Sequence, residues 1–242
     1  MKLYYDLHIH TALSPCGDND MSPMNIVNMA VIKGLDVIAI TDHNSVKNCI
    51  PCLEAARDKD ILVIPGMEIQ TKEEVHLLCL FKNIEEALVF GAKVDELLPN
   101  IKNNRDFFGE QLIFDNKNNV IDEEKRLLIS SVNISISRVF TMVSQLNGVV
   151  VPAHVDKRNY SIISNLGFLP LNIDFTTIEI SKNCDKKDYM VKNAYLNNYN
   201  VIIDSDAHYL GDISEPINYI DANDKDIEDV FKYLKSKKQP IT

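Results

Sequence analysis

No run of apolar residues in this chain is long enough to span a bilayer, and the opening stretch, MKLYYDLHIH, has no apolar signal core. That argues against membrane residence and secretion and leads us to expect a cytoplasmic protein. Positive charge is scarce: 25 Lys and Arg stand against 35 Asp and Glu, a formal net charge of -10. Bulk attraction to a membrane or to nucleic acid is therefore not expected. The exception is local, because carboxylates that bind divalent cations reverse the field around them and can draw in an anionic substrate. The five cysteines are an odd number in a chain that needs no staple, so reduced thiols are the simplest reading. Internal repeats and low-complexity linkers are absent as well. With 242 residues, 45% of them apolar, the chain can bury a real core, and one domain over 1–242 is the expectation.

Apolar runs of strand length alternate with helix-like stretches. Residues 3–11, 36–41, 61–69, 75–81, 148–153, 175–181 and 200–204 read as strands. Ser22-Pro23 starts a helix that Gly34 closes, and further helices are expected at 51–60, 134–146, 185–196 and 226–237. Residues from about 83 to 131 are rich in Asn, Lys, Asp and Glu, with Leu and Phe at helical intervals; they predict a helical insertion of two or three helices over the rim. Alternating strands and helices imply a parallel sheet with crossover helices. About seven strands without a switch point predict an α/β fold with a closed or nearly closed barrel, with a doubly wound sheet as the alternative.

The chain has six histidines: His8, His10, His43, His76, His154 and His208. Each lies in, or just after, an expected strand, and five have a carboxylate within a few residues. Alternate residues of a strand share a face, so His8 and His10 can reach one metal together. Strand ends on one side of a parallel barrel converge on one mouth. Any one of these histidines alone is as well read as a satisfied core or surface residue. The whole set is not, because buried imidazoles without partners are costly.

The segments Asp6-Leu7-His8-Ile9-His10-Thr11, Ile40-Thr41-Asp42-His43-Asn44, Pro65-Gly66-Met67-Glu68-Ile69, Ala153-His154 and Asp204-Ser205-Asp206-Ala207-His208 resemble, in order, the motifs of the PHP (polymerase and histidinol phosphatase) family. The resemblance implies a distorted (β/α)7 barrel of mostly parallel strands with two or three divalent ions, Zn, Mn or Fe. It implies that His8, His10, Glu68 and Asp206 hold one metal, that Glu68 bridges to a second held by His76 and His154, and that His43 and His208 hold a third. The remaining ligand of the third site falls in the stretch after His10, where Asp18 is preferred and Cys16 is the alternative. Asp42 stands either as a ligand or as a partner to an imidazole; Glu68 and Asp42 are the candidate catalytic carboxylates. Lys157, Arg158 and Lys182 follow strand ends and are the candidate phosphate-binding cations, Arg158 first.

The implied activity is hydrolysis of a small phosphate ester, a nucleotide or another phosphomonoester or phosphodiester, by a metal-activated water. The expected partner is a small phosphorylated substrate, with no membrane and no bulk nucleic acid. The alternative is a metal-binding accessory module without turnover. Amide or ring hydrolysis on a similar barrel is disfavoured, since Glu68 fills the place of the bridging lysine such enzymes use. Three further signals are discounted: Cys49-Ile50-Pro51-Cys52, which lacks a second pair for zinc; the apolar stretch 97–114, where Phe107 and Phe108 could stack a base; and the lysines of 232–238, which suit a helix C-terminus.

Overall fold

The link between the strand that carries Glu68 and the one that carries His76 decides the sheet. In the computed structural model, which describes residues 1–237, that link is only residues 71–75. A parallel crossover needs a dozen residues or more, so these two strands can pair only antiparallel.

In chain order the elements are β1 (Lys2–Ile9), α1 (Pro23–Lys33), β2 (Val37–Ile40), α2 (Cys49–Ala56), β3 (Leu62–Gln70), β4 (His76–Leu80), α3 (Ile84–Leu97), α4 (Arg105–Phe108), β5 (Leu112–Phe114), β6 (Val120–Glu123), α5 (Ile136–Gln145), β7 (Val149–Pro152), α6 (Ile162–Leu166), β8 (Thr177–Ser181), α7 (Lys186–Lys192), β9 (Asn200–Asp204), β10 (Tyr219–Asp221) and α8 (Ile227–Lys235). The main sheet has the order β10-β1-β2-β3-β4-β7. Pairs β1–β2 and β2–β3 are parallel, whereas β3–β4, β4–β7 and β10–β1 are antiparallel. A separate parallel pair, β8–β9, stands between β7 and β1. It is tied to β7's end by Val155 N–H to Glu179 O (2.9 Å), and to β1's end by His10 N–H to Ala207 O (3.0 Å). The expected (β/α)7 barrel of mostly parallel strands is thus corrected to a curled, mixed sheet, a half-barrel whose gap is bridged by a few hydrogen bonds rather than by continuous ladders.

Alternation along the strands builds two apolar layers. Leu3, Tyr5, Leu7, Val37, Ala39 and Ile64 face the inside of the curl, together with Val230, Phe231 and Leu234 of α8. Ile38, Ile40, Val63, Met67 and Ile69 face out against the helices. The β1–β2 register is irregular between Asp6 and Ile9, and Ile9 belongs to the outer layer while Leu7 belongs to the inner one. A bulge re-aims the side chains that follow it, and this one turns His8 and His10 inward.

The stretch at 83–131 also departs from expectation. It holds the long helix α3 and the single turn α4, but then the β5–β6 hairpin rather than further helix. The hairpin forms because Asp115-Asn116-Lys117-Asn118-Asn119 is a turn sequence: Asp115 Oδ1 accepts the N–H groups of Lys117 and Asn119 (2.8 Å each), and Asn118 takes φ 65°. The stretch docks on the loops after β1 and β2, through Leu112 N–H to Ala12 O (2.8 Å) and Asn44 Nδ2 to Ser130 O (2.9 Å). Among the described residues no helix is long and apolar enough to cross a membrane. The last lysine of the 232–238 run, Lys238, and the end of the expected 1–242 domain lie outside the described residues.

Glu124 locks the end of this stretch. Its buried carboxylate pairs with Lys47 and accepts from Arg126 Nε (3.2 Å). Burial alone would raise its pKa, but Arg126 and Lys47 hold it down at about 2, against 4.5 for a free glutamate. A carboxylate with a depressed folded pKa stabilises the fold above its unfolded pKa and loses that contribution as pH falls towards the folded value. The Glu124→Gln variant is expected to melt a few degrees lower at pH 7, the effect of about 1 kcal/mol in a chain this size. The gap should close between pH 4.5 and 2. An equal gap at both ends of a calorimetric pH series would contradict this.

Candidate metal centre

Each side chain of the cluster is delivered by a strand near one of its ends or by the loop that follows it. β1 supplies His8 and His10, the loop after β2 supplies His43, β3 supplies Glu68 and β4 begins with His76. His154 follows β7, and Asp206 and His208 follow β9. Gly66 makes the β3–β4 approach possible, since a Cβ there would lie 2.9 Å from Leu80 Cδ2 and 3.0 Å from Cys79 O. Two residues of the cluster sit in the left-handed backbone region, His154 at φ 30° and Asp206 at φ 53°. That strain is typical of functional sites, where the surroundings over-determine the conformation.

Glu68 is the hub. Its Oε1 lies 2.8 Å from His76 Nδ1, 3.1 Å from His154 Nε2 and 3.4 Å from His8 Nε2. Its Oε2 lies 3.0 Å from His43 Nδ1 and 3.4 Å from His10 Nε2. Asp206 Oδ1 closes the other side, 3.4 Å from His8 Nε2 and 3.2 Å from His10 Nε2. Among the described residues, three groups have ligand atoms within 4.8 Å of one another: His8, His10, Glu68 and Asp206; His43, Glu68 and His76; and His10, His43 and His208.

The hydrogen-bond network assigns the tautomers, and they fit a cation. His8 Nδ1 lies 3.0 and 3.1 Å from the two oxygens of Glu179, so it carries the proton and Nε2 keeps its lone pair. Ser14 Oγ donates to Asp42 Oδ1 (2.7 Å) and therefore accepts from His10 Nδ1 (2.9 Å), which leaves the lone pair of His10 on Nε2 too. The two Nε2 atoms are 3.1 Å apart, so two lone pairs meet with only a proton or a metal able to reconcile them. Gln70 donates to Ser131 Oγ (2.9 Å) and turns its carbonyl to His76 Nε2 (3.2 Å), which frees His76 Nδ1 towards Glu68. His208 Nδ1 donates to Asp206 O (2.8 Å), which frees its Nε2. The 3.0 Å contact of Glu68 Oε2 with His43 Nδ1 lacks hydrogen-bond geometry, and these two atoms and His154 Nδ1 are buried without a hydrogen-bond partner. Buried polar atoms are rarely left so, and an ion is one of the standard reasons when they are.

Electrostatics agree. Burial would push the Glu68 carboxyl up, but the imidazoles of His76, His8 and His43 hold it well below the usual range. Burial would push His10 and His43 down; Asp206 and Glu68 carry His10 to about 9, and Cys16 and Glu68 carry His43 to about 9. Burial does win at His76 and His208, which fall to about 4 and about 3. In metal-free protein some rings thus hold protons that a divalent ion would displace.

The structure sorts the other expected residues. Asp42 touches no ring. Its carboxylate accepts from Thr11 N–H (2.7 Å), Thr11 Oγ1 (2.8 Å) and Ser14 Oγ, so it shapes the loop that orients His10. Asp18 is not brought in, for its Oδ1 accepts from Asp20 N–H (2.8 Å) within a turn, while the Cys16 thiol lies against His43. Lys157 Nζ is 2.5 Å from Asp206 Oδ2, and Lys157 and Arg158 line the cavity of about 400 Å³ over the cluster. Lys182 points elsewhere, with Nζ donating to Asp212 O (2.9 Å). Phe107 and Phe108 pack on each other, 4.7 Å between centroids, and do not line that cavity. Cys49 and Cys52 are buried thiols; burial pushes Cys49 up to about 12 and Cys52 well above the ordinary range.

Sequence reasoning missed Glu179, Ser14, Gln70 and Tyr160. Glu179 had a signal: in Thr177-Ile178-Glu179-Ile180-Ser181 a lone carboxylate alternates with buried isoleucines and so must face the inside of the curl. Besides holding His8, it accepts His154 N–H (3.0 Å). Partners of this kind tune metal affinity by about 10–100-fold. Glu179→Gln is expected to lower metal affinity within that range by calorimetry on folded protein; an unchanged affinity would exclude the role.

Comparison with known proteins completes the site. A 5'-3' exoribonuclease of Haemophilus influenzae is 34% identical over 83 residues, 33% of this chain and 29% of the relative. The lesion-specific endonuclease Q of Pyrococcus furiosus superposes with a TM-score of 0.69 at 19% identity, covering 97% of this chain and 56% of that one. Endonuclease Q in complex with a 27-mer duplex carrying an abasic lesion gives a TM-score of 0.70 at 18% identity, covering 97% and 57%. This chain therefore spans less than two thirds of each of these proteins. The expected small phosphorylated substrate, with no bulk nucleic-acid binding, is overturned by these findings, since these similar proteins are nucleases by name. Whole-chain charge governs non-specific attraction and does not describe one mouth lined by Lys157 and Arg158 over a cluster of histidines and carboxylates. The PHP domain model matches residues 6–239, almost the whole span that builds the half-barrel and its donor cluster, and the chain belongs to the PHP domain family of metal-dependent phosphoesterases.

Proposed function

We propose that this chain hydrolyses phosphodiester bonds of nucleic acid at the Glu68 cluster. The observation that carries the reading is the convergence of five imidazoles on one buried carboxylate, three of them, His8, His10 and His76, with lone pairs freed by partners on the far side of the rings. His8, His10, Glu68 and Asp206 would hold one ion; Glu68, His76 and His154 a second; His43 and His208 a third, with Cys16 in the place first given to Asp18. Thiolate and imidazole donors suit Zn or Fe(II) at that third site, and the mixed set accepts Mn as well. When bound, such ions acidify a water for attack on phosphorus and neutralise the phosphoryl oxygens.

The chain's own residues do the rest. Glu179 and the Asp42–Ser14 pair fix the rings of His8 and His10, so little reorganisation is needed as substrate arrives. Lys157 and Arg158 border the cavity where phosphate oxygens would sit, and the guanidinium fork suits them. The stretch at 83–131 lies on the loops that carry Ser14 and His43, so we assign it to shaping the mouth.

The test compares metal-stripped protein with protein reloaded with Mn, Zn or Fe(II) on RNA and DNA oligonucleotides. Reloading is expected to restore chain cleavage. At a hundredfold excess over Kd it should also stabilise the fold by about 2.7 kcal/mol, roughly 5–10 °C for a chain of this size. Stabilisation with no cleavage of any oligonucleotide would favour the accessory-module reading.

A further inference from the structure

Tyr160 has a conformation and a position that the assembly of the cluster alone does not require. Its ring lies parallel to His76, with centroids 4.9 Å apart and planes 9° from each other, while 45% of the residue is exposed. One face is therefore covered by an imidazole of the cluster, and the residue still presents a large surface to solvent. The backbone at Tyr160 is left-handed, φ 58°, which is unfavourable for a bulky residue. The contacts that hold it there are specific. His76 N–H donates to Tyr160 O (2.8 Å), Lys157 N–H closes a turn on His154 O (2.9 Å), and Ser161 caps α6 just after it. Strain kept in place beside a reactive centre is a reason to look for a role.

The neighbours suggest that role. Lys157, Arg158 and Tyr160 line the same cavity within four consecutive residues. One short loop thus offers cations for a phosphate and an aromatic face for whatever is attached to it. His76, which the ring covers, touches Glu68 directly (2.8 Å), so the ring stands one imidazole away from the hub. We infer that Tyr160 is the stacking platform for the base of the nucleotide at the cleavage site, and that the site therefore takes an unstacked nucleotide, from a single strand or a frayed end, in preference to the interior of a duplex. The inference rests on the proposed nucleic-acid substrate and narrows it. Stacking accepts every base, because each has a π-face, so little base preference is expected.

Because activity depends on the ions as well, the test reads binding. Metal-loaded protein is titrated by calorimetry with a nucleoside 5'-monophosphate and with ribose 5-phosphate, which shares the phosphate and sugar but has no base. Wild type is expected to favour the nucleotide by roughly 5- to 150-fold, the usual range for one stacked base. Tyr160→Phe should keep that ratio. Tyr160→Gly should bring it to about one while leaving ribose 5-phosphate affinity unchanged; glycine suits a left-handed backbone, so this variant is expected to fold. A wild-type ratio near one, or the same ratio in Tyr160→Gly, overturns the inference. Equal loss of both ligands in Tyr160→Gly overturns it too, because the ring would then only buttress His76. The proposed function fails separately, by absence of oligonucleotide cleavage in the reloaded wild type, and the binding ratio reads Tyr160 whatever that result.

Discussion

Glu68→Gln is expected to abolish turnover and to empty the cluster of metal. The substitution keeps the shape of the side chain but replaces an anion that faces His8, His10, His43, His76 and His154 with a neutral amide. Outer partners of a metal site contribute about 10–100-fold, so a carboxylate proposed to be shared by two ions should cost at least about 10³-fold in rate. The amide nitrogen would also point a donor at rings whose lone pairs are aimed inward. Metal content by elemental analysis should fall with the rate. Full metal content in an inactive variant would make Glu68 a general base rather than a bridge, and unaltered activity would remove it from the chemistry.

The His8→Ala, His10→Ala double variant is the second large effect, and it dissects a different part of the site. These rings supply the pair of Nε2 atoms 3.1 Å apart and contact both Glu68 and Asp206. Their loss removes half of the first donor group, and cleavage should drop by more than roughly 10³-fold. The fold also suffers here, because Glu179 is fully buried and loses the imidazole that faces it. Breaking a buried pair on one side costs about 3–5 kcal/mol. Adding Glu179→Gln should recover stability without recovering cleavage. Full turnover in the double variant would contradict the placement of the first ion.

Much of the site is legible in the chain because strand periodicity is strict. His8 and His10 share a face at a spacing of two, and Pro65-Gly66-Met67-Glu68 announces a close strand approach that ends in a carboxylate. Loops obey no such period. Counting back from the Ser22-Pro23 helix start favours Asp18 and counting forward from His10 favours Cys16; the turn there spends the Asp18 carboxylate on Asp20 N–H and leaves Cys16 beside His43. The hairpin at Leu112–Glu123 was hidden because Leu112, Ile113 and Phe114 continue an apolar rhythm that reads as helix, and only the Asn-rich turn argues otherwise. The bulge in β1, which turns two imidazoles inward, has no mark in composition. The antiparallel turn of the sheet was legible in principle, since residues 71–75 are too few for a crossover.

Anomalous diffraction from crystals soaked in Mn(II) reads the metal positions with no assumption about substrate. The account predicts at least two peaks bridged by the carboxylate of Glu68, one of them bounded by His8 Nε2, His10 Nε2 and Asp206 Oδ1. Peaks confined to surface carboxylates, with the six imidazoles turned away from any common ion, would contradict it.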